Sequence, residues 1–210
     1  MSELLLRRRV AMAKSLPYDA EIEYLEVDGY EYIDTNITPN ETVEHEVKWM
    51  PTNTYTSSTG LVSARNNASG SVKSGYSLSL WVNGTNVAMN DNNWSAGSWS
   101  NVLTNNTASV IAIKERNLYV DNTLIVTSAS TNQFSFDCTY GLLRGRILNN
   151  WDSRRGSTGK IYYAKIWKDN SLVRDFIPVR VGQVGYMYDK VSRRLFGNAG
   201  TGDFVLGPDL

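Results

Sequence analysis

Residues 159–208 read GKIYYAKIWKDNSLVRDFIPVRVGQVGYMYDKVSRRLFGNAGTGDFVLGP, and this stretch decides the fold. In its first half, apolar and aromatic residues over 161–167 are followed by turn-forming residues at 169–171, and 172–179 resumes the apolar run. Two such runs, separated by a gap of hairpin length, predict a pair of antiparallel strands.

The second half of the stretch repeats this plan. Residues 184–188 and 194–196 flank the turn residues 189–192, and the Gly- and Asn-rich residues 197–202 then lead into 204–206. Glycine and asparagine favour turns because they tolerate backbone conformations that other residues avoid. Ribbons of short strands need a second layer to cover their apolar face, so the stretch predicts a layered all-β protein.

The same residues resemble a known family. The string from 159 to 208 resembles the closing segment of concanavalin A-like, laminin-G-like jelly-roll domains found in surface and phage proteins of gut bacteria. Residues 23–37 resemble the opening of those domains, and 118–124 resemble their central hairpin. The resemblance implies a jelly-roll β-sandwich of two antiparallel sheets over residues 17–210, with roughly a dozen strands.

Length and composition agree with a single domain of this kind. The chain has 210 residues, 41% of them hydrophobic, which is enough to fill a sizeable core. Lys plus Arg and Asp plus Glu both number 21, so the formal net charge is zero and no nucleic-acid partner is expected. No apolar run approaches the roughly 18 residues that a membrane helix needs, so no membrane span is expected.

Histidine and cysteine, two common metal ligands, occur once each, as His45 and Cys138. One of each cannot build a usual zinc site, so neither a metal nor another cofactor is expected. Within 43–49, apolar residues alternate with polar ones, and His45 falls on the apolar face. We expect a core or rim histidine with satisfied hydrogen bonds. Cys138 alternates with aromatic residues over 134–140 and is expected to be a small buried hydrophobe.

Other hairpins are predicted upstream of the C-terminal stretch. Residues 76–82 alternate and lead through Asn83-Gly84 into 87–89, and 110–126 contains three short apolar runs. Residues 51–75 are rich in Ser, Thr, Asn and Gly, and are expected to form a loop or a weak edge strand.

Residues 1–16 differ in composition from the rest of the chain. They contain good helix formers and carry one acidic residue against four basic ones, a formal net charge of +3 that leaves −3 on the remainder. A helix of about a dozen residues is marginal alone in water, so we expect a helical or extended segment that anchors or oligomerises the protein. A frayed basic tail and a nucleic-acid contact are the alternatives. The residues expected to anchor are Leu4, Leu5, Leu6, Arg7, Arg8 and Arg9.

Three carboxylates near the start of the domain spell E-x-D-x-x-E, as Glu26, Asp28 and Glu31. The string resembles the catalytic residues of laminarinase-type glycoside hydrolases, in which carboxylates project from one strand into a cleft. Here Asp28-Gly29 is a strong hairpin signal that would place Glu26 and Glu31 on different strands, with Asp28 at the exposed tip. We therefore expect no enzymatic activity, and the glycoside hydrolase remains the less favoured alternative.

Two polar loops with embedded aromatic residues are the candidate ligand sites. Residues 90–101 and 149–156 combine tryptophans with Asn, Asp and Arg, and a large aromatic in a polar loop is often a platform for a sugar ring. Core burial remains open for Trp94 and Trp99, as does a solvated face for the two arginines. The candidate carbohydrate-binding residues are Asn92, Trp94, Trp99, Trp151, Arg154 and Arg155.

The family resemblance implies a non-enzymatic structural protein of a phage virion. It would be a capsid auxiliary protein, a head fibre or a tail component that attaches to other virion proteins and to further copies of itself through residues 1–16. Its sandwich would contact a glycan on the host surface. The alternative is a carbohydrate-binding module on a bacterial cell surface. The basic residues at 7–9 follow an apolar run instead of preceding one, unlike a secretory signal peptide, and this favours the virion location.

Overall fold

The structure is a computed structural model that describes residues 16–52, 59–65, 79–91, 97–99, 101–131, 133–134, 136–147, 150–151, 156 and 158–210. At residues 59, 97–99, 146–147 and 150–151 it describes the backbone alone. The predicted anchor falls outside these ranges except for Leu16, so its conformation and its docking role stay predictions.

The described residues form nineteen β-strands and no helix, and the strands make two sheets. The first sheet consists of β1 (Ala20–Glu21), β2 (Leu25–Val27), β4 (Glu44–Pro51), β9 (Ser109–Lys114), β10 (Asn117–Val120), β11 (Thr123–Thr127), β15 (Gly159–Lys168), β16 (Ser171–Val181), β17 (Val184–Asp189), β18 (Arg194–Phe196) and β19 (Val205–Leu206). The second sheet consists of β3 (Ile33–Asp34), β5 (Thr59–Arg65), β6 (Ser79–Asn83), β7 (Asn86–Asn90), β8 (Gly97–Trp99), β12 (Gly141–Leu142), β13 (Arg146–Ile147) and β14 (Asn150–Trp151).

The main path of the first sheet runs β11-β10-β9-β4-β15-β16-β17-β18, with β15 near its centre. One side of β15 pairs with β4, and the other side pairs first with β2 and then with β16. Its first residue, Gly159, leaves room for a neighbouring side chain, because a Cβ there would lie 2.4 Å from the indole of Trp49. The last strand, β19, returns to pair with β2, so the chain ends beside the strands with which it began.

The second sheet runs β14-β13-β5-β6-β7-β8, and β12 joins β3 to β5. Pairing among the described strands of both sheets is antiparallel except for the short parallel contact between β13 and β5. The predicted all-β class with two layers is therefore confirmed. No helix in the described ranges is long and apolar enough to cross a membrane.

The predicted hairpins form where the turn residues indicated them. β15 and β16 are joined by Asp169 and Asn170, both at positive φ (51° and 60°), the conformation of the tight turn that fits twisted strands. β17 and β18 are joined by residues 190–193, one position later than the turn predicted at 189–192. In the β6–β7 hairpin the two turn residues are Gly84 and Thr85, one position later than expected.

One apolar core lies between the two sheets. On β4 the predicted alternation is confirmed, because His45, Val47 and Trp49 are buried while the residues between them are partly exposed. Val47 and Trp49 belong to the same cluster as Leu80 and Met89 of the second sheet. The cluster also includes Cys138, which is 4% exposed, as predicted.

The expectation for residues 51–75 is wrong at 59–65. These residues form β5, an interior strand of the second sheet that pairs with β6, β12 and β13. Leu61, Val62, Ser63 and Ala64 are each at most 1% exposed. Both faces of the strand are covered, and small residues fit such a position. The Gly and Ser content of 59–65 therefore reflects close packing instead of a loop.

His45 is buried as predicted, but the expectation that its ring is hydrogen-bonded is wrong. The side chain is 0% exposed and contacts the ring of Tyr140 at 5.7 Å between centroids. Neither ring nitrogen has a hydrogen-bond partner among the described residues. Burial lowers the pKa of His45 from 6.5 to about 3, so the imidazole is neutral in the folded protein.

This burial predicts a loss of stability in mild acid. Between pH 6.5 and 3 the unfolded chain binds a proton at residue 45 and the folded chain does not, so the free energy of unfolding falls as the pH falls. At pH 5 the loss relative to pH 7.5 is about 2 kcal/mol. Urea unfolding of the wild type and of His45→Leu at both pH values measures it. The variant lacks this contribution, and equal pH dependence in the two proteins would contradict the assignment.

Candidate functional site

The structure describes no side chain for any of the six residues predicted to bind a glycan. Trp99 and Trp151 are described by their backbone alone, in β8 and β14. The other four, Asn92, Trp94, Arg154 and Arg155, lie outside the described residues. Their roles stay predictions.

The backbone nevertheless limits how the two polar loops can act together. β8 and β14 end the path of the second sheet on opposite sides, with β7, β6, β5 and β13 between them. Five steps at the usual strand spacing amount to about 24 Å along the sheet. Trp99 and Trp151 therefore lie on strands far apart in the sheet, and we expect the two loops to contact either separate ligands or distant parts of a long one.

The described end of the first loop is tied to the other sheet. Asp91 follows β7, and its carboxylate is 1% exposed and lies 3.3 Å from the guanidinium of Arg116, in the β9–β10 turn. Burial raises the pKa of Asp91 above its ordinary value, against the opposing effect of a hydrogen bond from Ser128 and of the Arg116 charge. The first loop thus leaves the sandwich from a fixed point.

The E-x-D-x-x-E carboxylates are divided between different environments. Glu26 lies on β2, with its carboxylate 3.8 Å from the ammonium group of Lys160. That ammonium group is also 4.0 Å from the centroid of the Tyr24 ring. Glu26 is thus part of a cluster of lysine and tyrosine on the outer face of the first sheet.

Glu31, by contrast, is only 4% exposed and closes a turn. Its Oε2 accepts hydrogen bonds from the backbone N–H of Asp28 (3.0 Å) and of Tyr30 (3.3 Å). Burial raises the pKa of the Glu31 carboxyl, and the N–H donors oppose that shift. This carboxylate therefore has a structural task, which is to hold the backbone at 28–31.

The hairpin predicted at Asp28-Gly29 does not form. The chain does turn there, with Gly29 at φ 99° and Asp28 exposed, but β2 pairs within the first sheet and β3 pairs with β12 in the second. The turn carries the chain from one sheet to the other. The two flanking strands part because the later strands β15 and β12 offer each of them a partner.

An open groove of approximately 500 Å³ lies where the two sheets meet beside β3 and β18. The second sheet contributes Asp34 and the first sheet contributes Arg194 and Phe196. The full lining is Pro17, Asp34, Asn36, Arg194, Leu195, Phe196, Gly197 and Ala199.

The polar wall of the groove is held by local hydrogen bonds. Asp34 Oδ1 accepts from the backbone N–H of Asn36 (2.9 Å) and from the hydroxyl of Thr139 (2.6 Å). Asn36 takes a left-handed backbone conformation (φ 55°), which asparagine tolerates better than most residues. Its side chain is exposed at the groove.

The aromatic wall of the groove is Phe196, whose ring packs against Phe176 and Arg174. The ring meets Phe176 edge-on at 5.1 Å, and the guanidinium of Arg174 lies 5.4 Å from its centroid. The Nε of Arg174 donates to the carbonyl of Thr35 (2.9 Å), which links β16 to the segment after β3. The two walls of the groove are therefore joined through Arg174.

Arg174 is in turn held by Asp189, whose side chain is 0% exposed. The carboxylate lies 3.6 Å from the guanidinium and accepts backbone N–H groups from Asp175 (2.8 Å), Val191 (3.1 Å) and Ser192 (3.1 Å). One buried carboxylate thus fixes the β17–β18 turn, the neighbouring strand β16 and the arginine behind Phe196.

The loop after β18 closes the end of the groove. Asn198 Oδ1 accepts from the backbone N–H of Tyr32 (3.1 Å) and of Gly200 (2.8 Å). Gly200 is needed because a Cβ at that position would lie 2.0 Å from the carbonyl oxygen of Tyr30. This explains the run of glycine and asparagine at 197–202.

An aromatic ring beside an amide, a carboxylate and a guanidinium suits a small polar ring with hydroxyl groups, such as a sugar. Arg194 and Asn36 are exposed and can donate hydrogen bonds to such a ligand. Within the described ranges, no cluster of three His, Cys, Asp or Glu residues could hold a metal ion.

The sequence did not identify this groove. Asp34 and Asn36 are separated from Arg194 and Phe196 by most of the domain, and no spacing links them. The one usable signal was Asn36, since an asparagine in the sequence Asp-Thr-Asn is typical of a turn held by an aspartate side chain.

Comparisons of the chain with protein families, with curated proteins and with solved structures find no match.

Replacing the buried carboxylate should destabilise the whole C-terminal region. In Asp189→Asn an amide group would face N–H donors, so we expect the free energy of unfolding to fall by about 2–4 kcal/mol. Asp203→Asn, at an exposed position in the same region, should stay within about 0.5 kcal/mol of the wild type. Chemical unfolding measures both, and an Asp189→Asn protein as stable as the control would contradict the role assigned to this carboxylate.

Proposed function

We propose that this chain is a non-enzymatic structural protein of a phage virion, whose concanavalin A-like jelly-roll sandwich binds a glycan of the host surface. Two features support the proposal. The first is the resemblance of residues 159–208 and 23–37 to phage and surface domains of gut bacteria. The second is the all-β architecture of two sheets around one core, which agrees with the fold that the resemblance implies.

The observation that carries the glycan-binding part is the groove between β3 and β18. Its lining combines an aromatic side chain with exposed polar groups, and the network around Arg174 and Asp189 holds it in shape without a ligand. A site that is already formed loses little conformational entropy on binding. The polar loops that contain Trp94 and Trp151 are proposed as further contacts with a longer glycan.

The proposal of a non-enzymatic role is supported by the carboxylates. Glu31 accepts two backbone hydrogen bonds and is buried, while Glu26 is paired with Lys160 on the outer face of the first sheet. In a retaining glycoside hydrolase two carboxyl groups face each other across the scissile bond at about 5–5.5 Å. Here the carboxylate of Glu31 is used to accept the backbone hydrogen bonds of the turn at 28–31.

Attachment to the particle is assigned to residues 1–16. The leucines at 4–6 would dock on a neighbouring virion protein or on a second copy, with the arginines at 7–9 facing acidic groups. Such exposed charge pairs are screened by salt, so attachment should weaken as the ionic strength rises. Detection of the protein in purified virions by mass spectrometry tests the location, and its recovery from the bacterial surface alone would favour the carbohydrate-binding module instead.

Two substitutions in the groove should weaken glycan binding without affecting the fold. Arg194→Ala removes a donor, and Asn36→Gly removes the amide while retaining the left-handed backbone. We expect each to weaken binding about fivefold or more on an array of bacterial surface glycans, with a melting temperature close to that of the wild type. Gln183→Ala, at the exposed β16–β17 turn, is the control and should bind normally.

Unchanged binding in both groove variants would remove the groove as the site and leave the two loops as candidates. The same protein should release no reducing sugar from laminarin or mixed-linkage glucans. Release that disappears in Glu26→Gln would establish the glycoside hydrolase.

A further inference from the structure

The strand at one end of the first sheet, β11, has no charged residue and no proline, two of the features that usually protect a sheet edge, although its pairing with β10 is irregular at Ile125. Among the described residues it pairs only with β10. Its sequence is TLIVT, and no charged residue or proline occurs from 122 to 136. Leu124 is 53% exposed. Such an edge offers unpaired backbone groups to any strand that reaches it.

The other ends of the described sheets are protected in the usual ways. β18, at the far end of the first sheet, has three residues and begins at Arg194, directly after Arg193. β8 and β14, at the ends of the second sheet, have three and two residues. Short and charged edges resist pairing with other strands. β11 differs from these edges because it has five residues and none of them is charged.

We propose that β11 is a self-association surface, on which β11 of one copy pairs antiparallel with β11 of a second copy across a two-fold axis. The two first sheets would then form one continuous sheet. In a two-fold strand pair the residue at the axis meets its own copy, and residues on either side of the axis meet each other, so charges of one sign on the strand would lie close together. An uncharged, β-branched strand meets this requirement, and it favours a second copy over an unrelated charged partner.

The predicted dimer is weak in solution. A pair of five-residue strands forms about five interchain hydrogen bonds and buries less than the roughly 1,200 Å² typical of stable complexes. Association should therefore depend on concentration. The proposal does not depend on glycan binding or on the N-terminal anchor, and it concerns residues on the opposite end of the first sheet from the groove.

Analytical ultracentrifugation of the full chain over a wide concentration range tests the proposal. Leu124→Lys places a charge on the edge strand of each copy, which would bring two like charges close together near the two-fold axis of the dimer, and should weaken dimerisation at least tenfold. Val205→Lys changes a side chain that is 60% exposed on β19 and should dimerise like the wild type. Hydrogen exchange should show slower exchange in 123–127 as the wild-type concentration rises, and no such change in Leu124→Lys.

Three results would overturn the proposal. The wild type could remain a monomer at every concentration. It could form a dimer that Leu124→Lys leaves intact, in which case another surface such as the N-terminal segment is responsible. It could also form open-ended aggregates instead of dimers. Near-ultraviolet circular dichroism of both variants checks that loss of dimer does not arise from loss of the fold.

Discussion

The buried carboxylate of Asp189 is the interaction on which the arrangement of β16, β17 and β18 depends. It accepts hydrogen bonds from three backbone N–H groups and holds the guanidinium of Arg174, so its negative charge is balanced without solvent. Removing one partner from a buried charge is far more costly than removing an exposed ion pair, because the remaining charge stays desolvated. The β17–β18 turn, the strand beside it and the aromatic wall of the groove therefore share one support.

Local signals in the sequence are sufficient to predict the hairpins. They are insufficient to predict which distant strands pair with each other. Asp169 and Asn170 form a turn by their own backbone preferences, and the strands that they join follow directly along the chain. Asp28-Gly29 carries an equally strong signal, yet its two strands part because later strands provide better partners. The composition of residues 59–65 misleads for a related reason, since Gly and Ser in a covered strand look like loop residues when only composition is considered.

The groove, as a candidate site, shows the same limit of prediction from the sequence. Its polar wall comes from residues 34 and 36 and its aromatic wall from residue 196, which meet only after two sheets have been assembled around β15 and β5. The tryptophan-containing loops are candidate sites from the sequence alone, because an aromatic residue stands out in a polar run. A site whose members are ordinary residues of different strands leaves no such mark, and it is found from the geometry alone.

The pairing of β2 with β15 and β19, and of β1 with β16, has a consequence for how the protein folds. Ala20 meets Arg180, and Leu25 meets Ile161 and Leu206, so the opening strands have no partner until most of the domain has been synthesised. Topologies with many such distant contacts fold slowly, because a long loop must close before the contact contributes any energy. While synthesis continues, the first strands therefore remain open to other chains, and a bound chaperone or rapid release from the ribosome would limit their misassembly.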